Sequence, residues 1–78
     1  MKRFAARVLY DQEGKKRLAS VVELEDGFVQ SFYPLTHDLP STVWLEGEIQ
    51  LVFCSESEST CQAYHLYKSD GVEKRVLL

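Results

Sequence analysis

The chain has 78 residues, of which 45% are hydrophobic and 12% are aromatic, and it carries a formal charge of −3 with a pI near 5.3. This length predicts a single domain over residues 1–78 and leaves no room for a second core. The acidic balance disfavours nucleic acid and anionic membrane surfaces as partners, because both are bound mainly through clustered Lys and Arg.

The first ten residues predict no secretion signal, because Arg7 interrupts the apolar stretch before it reaches a usable length. No apolar run approaches the ~20 residues that a membrane-spanning helix requires. Two cysteines, Cys54 and Cys61, are too few for a disulfide scaffold. We therefore expect a cytoplasmic protein with free thiols.

The four glycines each stand in a polar cluster and predict turns at Gly14, Gly27, Gly47 and Gly71. Two of them follow an aspartate, and an Asp-Gly pair between alternating segments is a strong hairpin signal. The segments between these turns alternate with period two, and no stretch of useful length shows the spacing of an amphipathic helix. In chain order the pattern predicts seven short strands over residues 4–10, 18–24, 28–33, 42–45, 49–54, 61–67 and 72–78.

The second and fifth of these strands are apolar on both faces, so the fold must cover both faces of a sheet. Pro34 and Pro40 flank a stretch that cannot be a central strand, and we expect a crossing loop there with room for one short helical turn near residues 35–42. The predicted fold class is all-β, as a small antiparallel two-layer sandwich or a partly open barrel of about seven strands. A dimer that stacks sheets or joins edges would also cover both faces.

Candidate chemistry centres on Cys54, Cys61 and His65, whose C-x6-C-x3-H spacing could be completed by His37 as a fourth zinc ligand. Structural zinc sites use close ligand pairs on tight turns, and this spacing lacks one, so we predict no metal site. A thiolate with a histidine base would need a positioning motif, and none is present. The sequence therefore predicts no enzyme, no catalytic or cofactor-binding residue and no cofactor.

Two charged runs and a set of aromatics remain. The acidic run at 55–60 predicts a solvated loop, and the basic cluster at 15–17 predicts a hairpin tip or a protected edge. The aromatic side chains are many for so small a core, so a surplus would mark a contact surface. They are Phe28, Phe32, Tyr33, Trp44, Phe53, Tyr64 and Tyr67.

Residues 1 to about 50 resemble the N-terminal β segment of amidohydrolase-type metal-dependent hydrolases, which precedes the catalytic barrel. The resemblance rests on three stretches, residues 4–8, 21–29 and 43–49, each an apolar strand or a strand ending in an acidic-Gly turn. Glu46 stands where the family has proline, and residues 50–54 stand where its His-x-His metal pair would follow. The resemblance implies β architecture without hydrolase activity.

We expect a non-catalytic β module that self-associates, as a homodimer, or docks on a larger protein, with no nucleic acid, membrane or metal partner. The alternative is an accessory small-ligand domain, or a β-domain partner of a separate metal-dependent hydrolase. The aromatic surplus and the two-faced strands favour the first hypothesis.

Overall fold

The computed structural model describes residues 1–54 and 57–78, and it confirms the all-β prediction. The described chain contains no helix, and hence none that could cross a membrane. Its strands are β1 Lys2–Tyr10, β2 Lys16–Glu25, β3 Phe28–Pro34, β4 Thr42–Cys54, β5 Ser57–Ser69 and β6 Val72–Leu77. They form one six-stranded sheet in the order β3-β2-β1-β4-β5-β6.

Two hairpins are closed by Asp-Gly pairs, as the sequence predicts. Asp26 and Gly27 join β2 to β3 with φ values of +53° and +84°, and Asp70 and Gly71 join β5 to β6 with +53° and +78°. Both central residues of a type I′ turn need positive φ, which Asp tolerates and Gly adopts without steric cost. These two-residue turns set the first pair of each hairpin, Glu25 with Phe28 and Ser69 with Val72.

The β1–β2 hairpin is held by the buried carboxylate of Asp11. This group accepts hydrogen bonds from the backbone N–H of Glu13 and Lys15 and from the Arg17 guanidinium, at 2.9–3.0 Å. Gly14, at φ +81°, donates its N–H to the carbonyl of Asp11. The basic cluster at 15–17 therefore lies at the end of this hairpin, as predicted. Within the hairpin, Arg17 forms an ion pair with Asp11.

The prediction of a turn at Gly47 is wrong, because β4 runs through it without a break. Gly47 has φ +96° and forms a bulge, seen as a register shift against β1 between Ala6 and Val8. A Cβ at this position would overlap the carbonyl oxygen of Leu66 in β5. The predicted fourth and fifth strands are thus one strand, and the described chain has six strands rather than seven.

The architecture differs from the predicted antiparallel two-layer sandwich in two respects. All strands of the described chain belong to one sheet, and β1 pairs with β4 in parallel. The sheet curves so that β3 contacts β5, but the two edges do not pair and the sheet is not closed into a barrel.

The parallel pair requires residues 35–41 to cross from β3 over β2 and β1. The Leu35 N–H donates to the Ala19 carbonyl at 2.7 Å, and Arg3 donates to the Pro40 carbonyl at 3.4 Å. No helical turn forms at 35–42, which corrects that prediction. The crossing segment has no regular secondary structure, with a bend at His37 and a turn at Pro40 and Ser41.

The second long strand, β5, begins at Ser57 rather than at the predicted residue 61. The loop predicted for residues 55–60 falls partly on residues 55 and 56, which lie outside the described residues. Residues 57–60 belong to the strand, since Cys54 pairs with Ser57.

The core lies on the concave side of the curved sheet, which we call the inner face. Its buried cluster consists of Ala6, Leu9, Val22, Leu24, Ile49, Leu51 and Ala63. The opposite, outer face also has fully buried residues, Ala5 and Val21, as expected where residues 35–41 cross it. Both faces of β1 and β2 are therefore covered around Ala5 and Val21, whereas Leu18 of β2 remains 69% exposed.

Candidate functional site

The sequence candidates for metal or thiol chemistry lie on three parts of the chain: Cys54 on β4, Cys61 and His65 on β5, and His37 in the crossing segment. Cys54 ends β4, Cys61 is buried in β5, and both thiols are free. Burial, and secondarily Cys54, raises the pKa of the Cys61 thiol. In residues 1–54 and 57–78, no three His, Cys, Asp or Glu side chains are grouped to hold a metal ion.

His65 lies where β5 separates from β4. Its Nε2 shares a hydrogen bond with the carbonyl of Glu46, and its ring stacks on Tyr67 with centroids 4.7 Å apart. The ladder between β4 and β5 begins only at Glu48. The imidazole therefore donates to the Glu46 carbonyl, which lies outside the backbone ladder between β4 and β5. His37 lies apart from it, in the crossing segment.

The strongest electrostatic feature is the Glu23 carboxylate on the outer face. Hydrogen bonds from Arg3 at 2.7 Å, Ser31 at 2.8 Å and Tyr33 at 2.8 Å lower the pKa of Glu23 to about 2. Perturbed pKa values mark candidate functional sites. Here, however, the partners are neighbours on β1 and β3, so the cluster ties three strands together.

The Asp11 carboxylate has a comparable explanation. Burial opposes its ionisation, but hydrogen bonds from the Lys15 N–H, from Arg17 and from the Glu13 N–H outweigh burial and lower its pKa. These donors belong to its own hairpin. Neither perturbed carboxylate lines the open groove beside the β5–β6 hairpin.

That groove, of about 740 Å³, lies between the bulge of β4 and the β5–β6 hairpin. Its charged groups are mixed in sign. It is lined by Gly47, Glu48, Leu66, Tyr67, Lys68, Glu73, Lys74 and Arg75. The groove is open and is bordered on one side by the last strand, β6.

Every residue of β6 is exposed to solvent. Val72, Val76 and Leu77 are 58%, 47% and 49% exposed, although they are the apolar residues of the strand. Within the described residues the strand pairs only with β5, so its other side is an edge without a partner strand there. We call that side the open edge.

The β5–β6 turn determines which backbone groups face the open edge. In a two-residue hairpin the residues flanking the turn form a hydrogen-bonded pair, and such pairs alternate with non-bonded ones. Here that pair is Ser69 with Val72. The even-numbered residues of β6 therefore bond to β5, which agrees with the Leu78 N–H donating to the Ala63 carbonyl at 2.9 Å. The N–H and C=O groups of Glu73 and Arg75 point to the open edge.

The other edge strand is less accessible. Between Glu23 and Leu24 the β2–β3 register shifts, leaving Gln30 as a bulged residue in β3. A bulge and a terminal Pro34 disfavour further pairing, and β3 also contacts β5. Of the two sheet edges, that of β6 is therefore the less obstructed one.

Part of the aromatic set is exposed, as the sequence analysis anticipated. Trp44 is 52% exposed and Val43 is 53% exposed, in the half of β4 that has no ladder to β5. Phe28 and Phe53 are each 40% exposed. The aromatics thus predicted that apolar surface remains, but not that the most exposed strand would be β6.

Comparison of the chain with known protein families, with curated proteins and with solved structures finds no significant match. The resemblance to metal-dependent hydrolases therefore stays a prediction.

Proposed function

We propose that the chain is a non-catalytic interaction module that self-associates by strand addition at the open edge of β6. One observation carries this proposal: β6 is exposed along its whole length and has no strand on its far side. Unpaired edge groups are a ready template for another strand. The carboxylates with lowered pKa values support a non-catalytic role, since their partners serve the hairpins.

The energetics favour a modest, reversible association. Each backbone hydrogen bond formed at the edge contributes about 0.5–1.5 kcal/mol, and burial of half-exposed Val and Leu side chains adds about 25 cal/mol per Å². A domain of 78 residues buries a smaller share of its surface than a large one, so added burial is significant. The loss of translational and rotational freedom on association offsets much of this gain, so we expect a reversible, concentration-dependent dimer.

A proline substitution at one position of β6 tests the proposal. Arg75→Pro removes an N–H that points to the open edge and spares the ladder to β5, because proline is tolerated where the N–H side faces solvent. Arg75→Ala is the matched control, since it removes the same side chain and keeps the N–H. Sedimentation equilibrium should show the alanine variant associating and the proline variant monomeric, with both variants folded by circular dichroism.

A second variant separates edge pairing from packing of sheet faces. Trp44→Ala trims the largest exposed aromatic of β4, which lies outside β6. We expect this variant to associate as the wild type does. Loss of association in Trp44→Ala, with association retained in Arg75→Pro, would show that a sheet face is the contact and would refute the proposal.

A further inference from the structure

We infer that β6 pairs antiparallel with β6 of a second copy of this chain, in the register that places a two-fold axis at Lys74. This inference rests on the proposed function and adds the register and the closed form of the assembly. It follows from the direction of the backbone groups, the charges along the strand and the state of the other sheet edge.

The backbone restricts the possible registers. In an antiparallel ladder, residues opposite one another have side chains on the same face. Two identical strands related by a two-fold axis perpendicular to the sheet satisfy this only when the axis passes through a residue. With the axis at Lys74, Glu73 lies opposite Arg75 of the second copy. Both residues point their backbone groups to the open edge, so they form a hydrogen-bonded pair on each side of the axis.

The side chains select among the axis positions. With the axis at Lys74, opposite charges meet twice as Glu73 and Arg75, and Val72 lies opposite Val76. Opposite-charge and apolar cross-strand pairs stabilise a sheet, whereas like charges directly opposite destabilise it. The axis at Lys74 therefore gives four complementary pairs.

Neighbouring axis positions lose this complementarity. An axis at Arg75 places Arg75 opposite itself and Glu73 opposite Leu77. An axis at Glu73 places Glu73 opposite itself and Val72 opposite Lys74. The Lys74 axis has one unfavourable pair, Lys74 with itself, but long lysine stems allow the two exposed ammonium groups to diverge.

The assembly closes at two copies. Pairing of β6 with β6 uses the same patch on both chains, which is the arrangement of a two-fold dimer. The remaining edge strand has the bulge at Gln30 and contacts β5, so it offers no second attachment for a growing sheet. We expect a dimer without higher oligomers.

A charge exchange between two variants tests the register. Glu73→Arg alone would place arginine opposite arginine twice, and Arg75→Glu alone would place glutamate opposite glutamate twice. Each variant alone should associate about tenfold or more weakly than the wild type. An equimolar mixture of the two should form a heterodimer in which both charge pairs are attractive, detected by native mass spectrometry and light scattering.

The chain carrying both substitutions is the control for folding. Within one hairpin Glu73 lies opposite Lys68, and the Arg75 guanidinium lies 3.8 Å from the ring centroid of Tyr64, so each substitution also changes contacts inside the chain. The double variant loses both of these contacts within the chain but restores both charge pairs between the chains. It should dimerise with an affinity close to that of the wild type.

The outcomes distinguish this inference from the proposed function. A mixture that stays monomeric, or single variants that dimerise as tightly as the wild type, would overturn the register while leaving edge association intact. A monomeric wild type would refute the proposed function itself. So would an Arg75→Pro variant that associates as tightly as the wild type.

Discussion

Glu23 shows how much of the outer face is organised by one side chain. It accepts hydrogen bonds from Arg3, Ser31 and Tyr33, and the Arg3 guanidinium extends the network to the Pro40 carbonyl of the crossing segment. A hydrogen-bonded carboxylate of this kind stabilises the fold only while it is ionised. The stability of the protein should therefore depend on pH through Glu23.

We predict that Glu23→Gln is destabilising near neutral pH and that its deficit shrinks in acid. The pKa of Glu23 is lowered from 4.5 to about 2 in the folded chain. Its stabilising contribution is thus fully present above about pH 4.5 and is lost as the pH falls toward 2. Urea unfolding of wild type and variant at several pH values measures the difference.

Tyr33→Phe provides the matched comparison, because it removes one of the donors and keeps the carboxylate. It should give a smaller deficit with the same direction of pH dependence. A Glu23→Gln deficit that stays constant from neutral pH to pH 2 would contradict the role assigned to this group.

The turn glycines and aspartates are predictable from the sequence because local backbone conformation selects them. The Glu23 cluster is not, since its four members come from three strands whose pairing is set by the tertiary fold. The contact of His65 with the Glu46 carbonyl depends on the separation of β5 from β4. No local pattern encodes that separation.

Among the elements, β4 differs most from its prediction. The sequence predicts a turn at Gly47 because turns and bulges both use the positive φ that glycine adopts freely. What separates the two cases is the partner strand: Leu66 of β5 approaches Gly47 so closely that no side chain fits. The bulge allows one long strand to pair with β1 in its first half and with both neighbours in its second.

We predict that Gly47→Ala destabilises the protein by about 3 kcal/mol or more, because backbone strain at positive φ adds to a collision with the backbone of β5. Gly14→Ala is the control, since Gly14 also has positive φ but open space around its Cβ position. It should cost only about 1–2 kcal/mol. Equal losses in chemical denaturation would show that β5 does not approach β4 as described.

The hairpins were predictable as elements, whereas the parallel β1–β4 pair was not. Asp26-Gly27 and Asp70-Gly71 specify two-residue turns, and a two-residue turn fixes which strands are neighbours. The segment 35–41 carries no such signal. Its prolines indicated a crossing, but the strand beside which the chain re-enters the sheet depends on burial of both faces.

For the whole molecule, the curved sheet has two edges of different character. The edge of β3 is bulged and contacts β5, while the edge of β6 extends beyond the core with half-exposed valines and leucine. The sequence predicted that a small chain with two-faced strands would have surface left to cover. It could not show which edge remained open, because strand order is a property of the assembled sheet.

Amide hydrogen exchange of β6, followed by NMR at low and high protein concentration, tests self-association at the open edge most directly. The even-numbered amides, bonded to β5, should be protected at both concentrations. The amides of Glu73 and Arg75 should exchange freely in dilute protein and become protected as concentration rises. Odd-numbered amides that stay unprotected at concentrations where light scattering gives twice the 9.0 kDa chain mass would contradict the account.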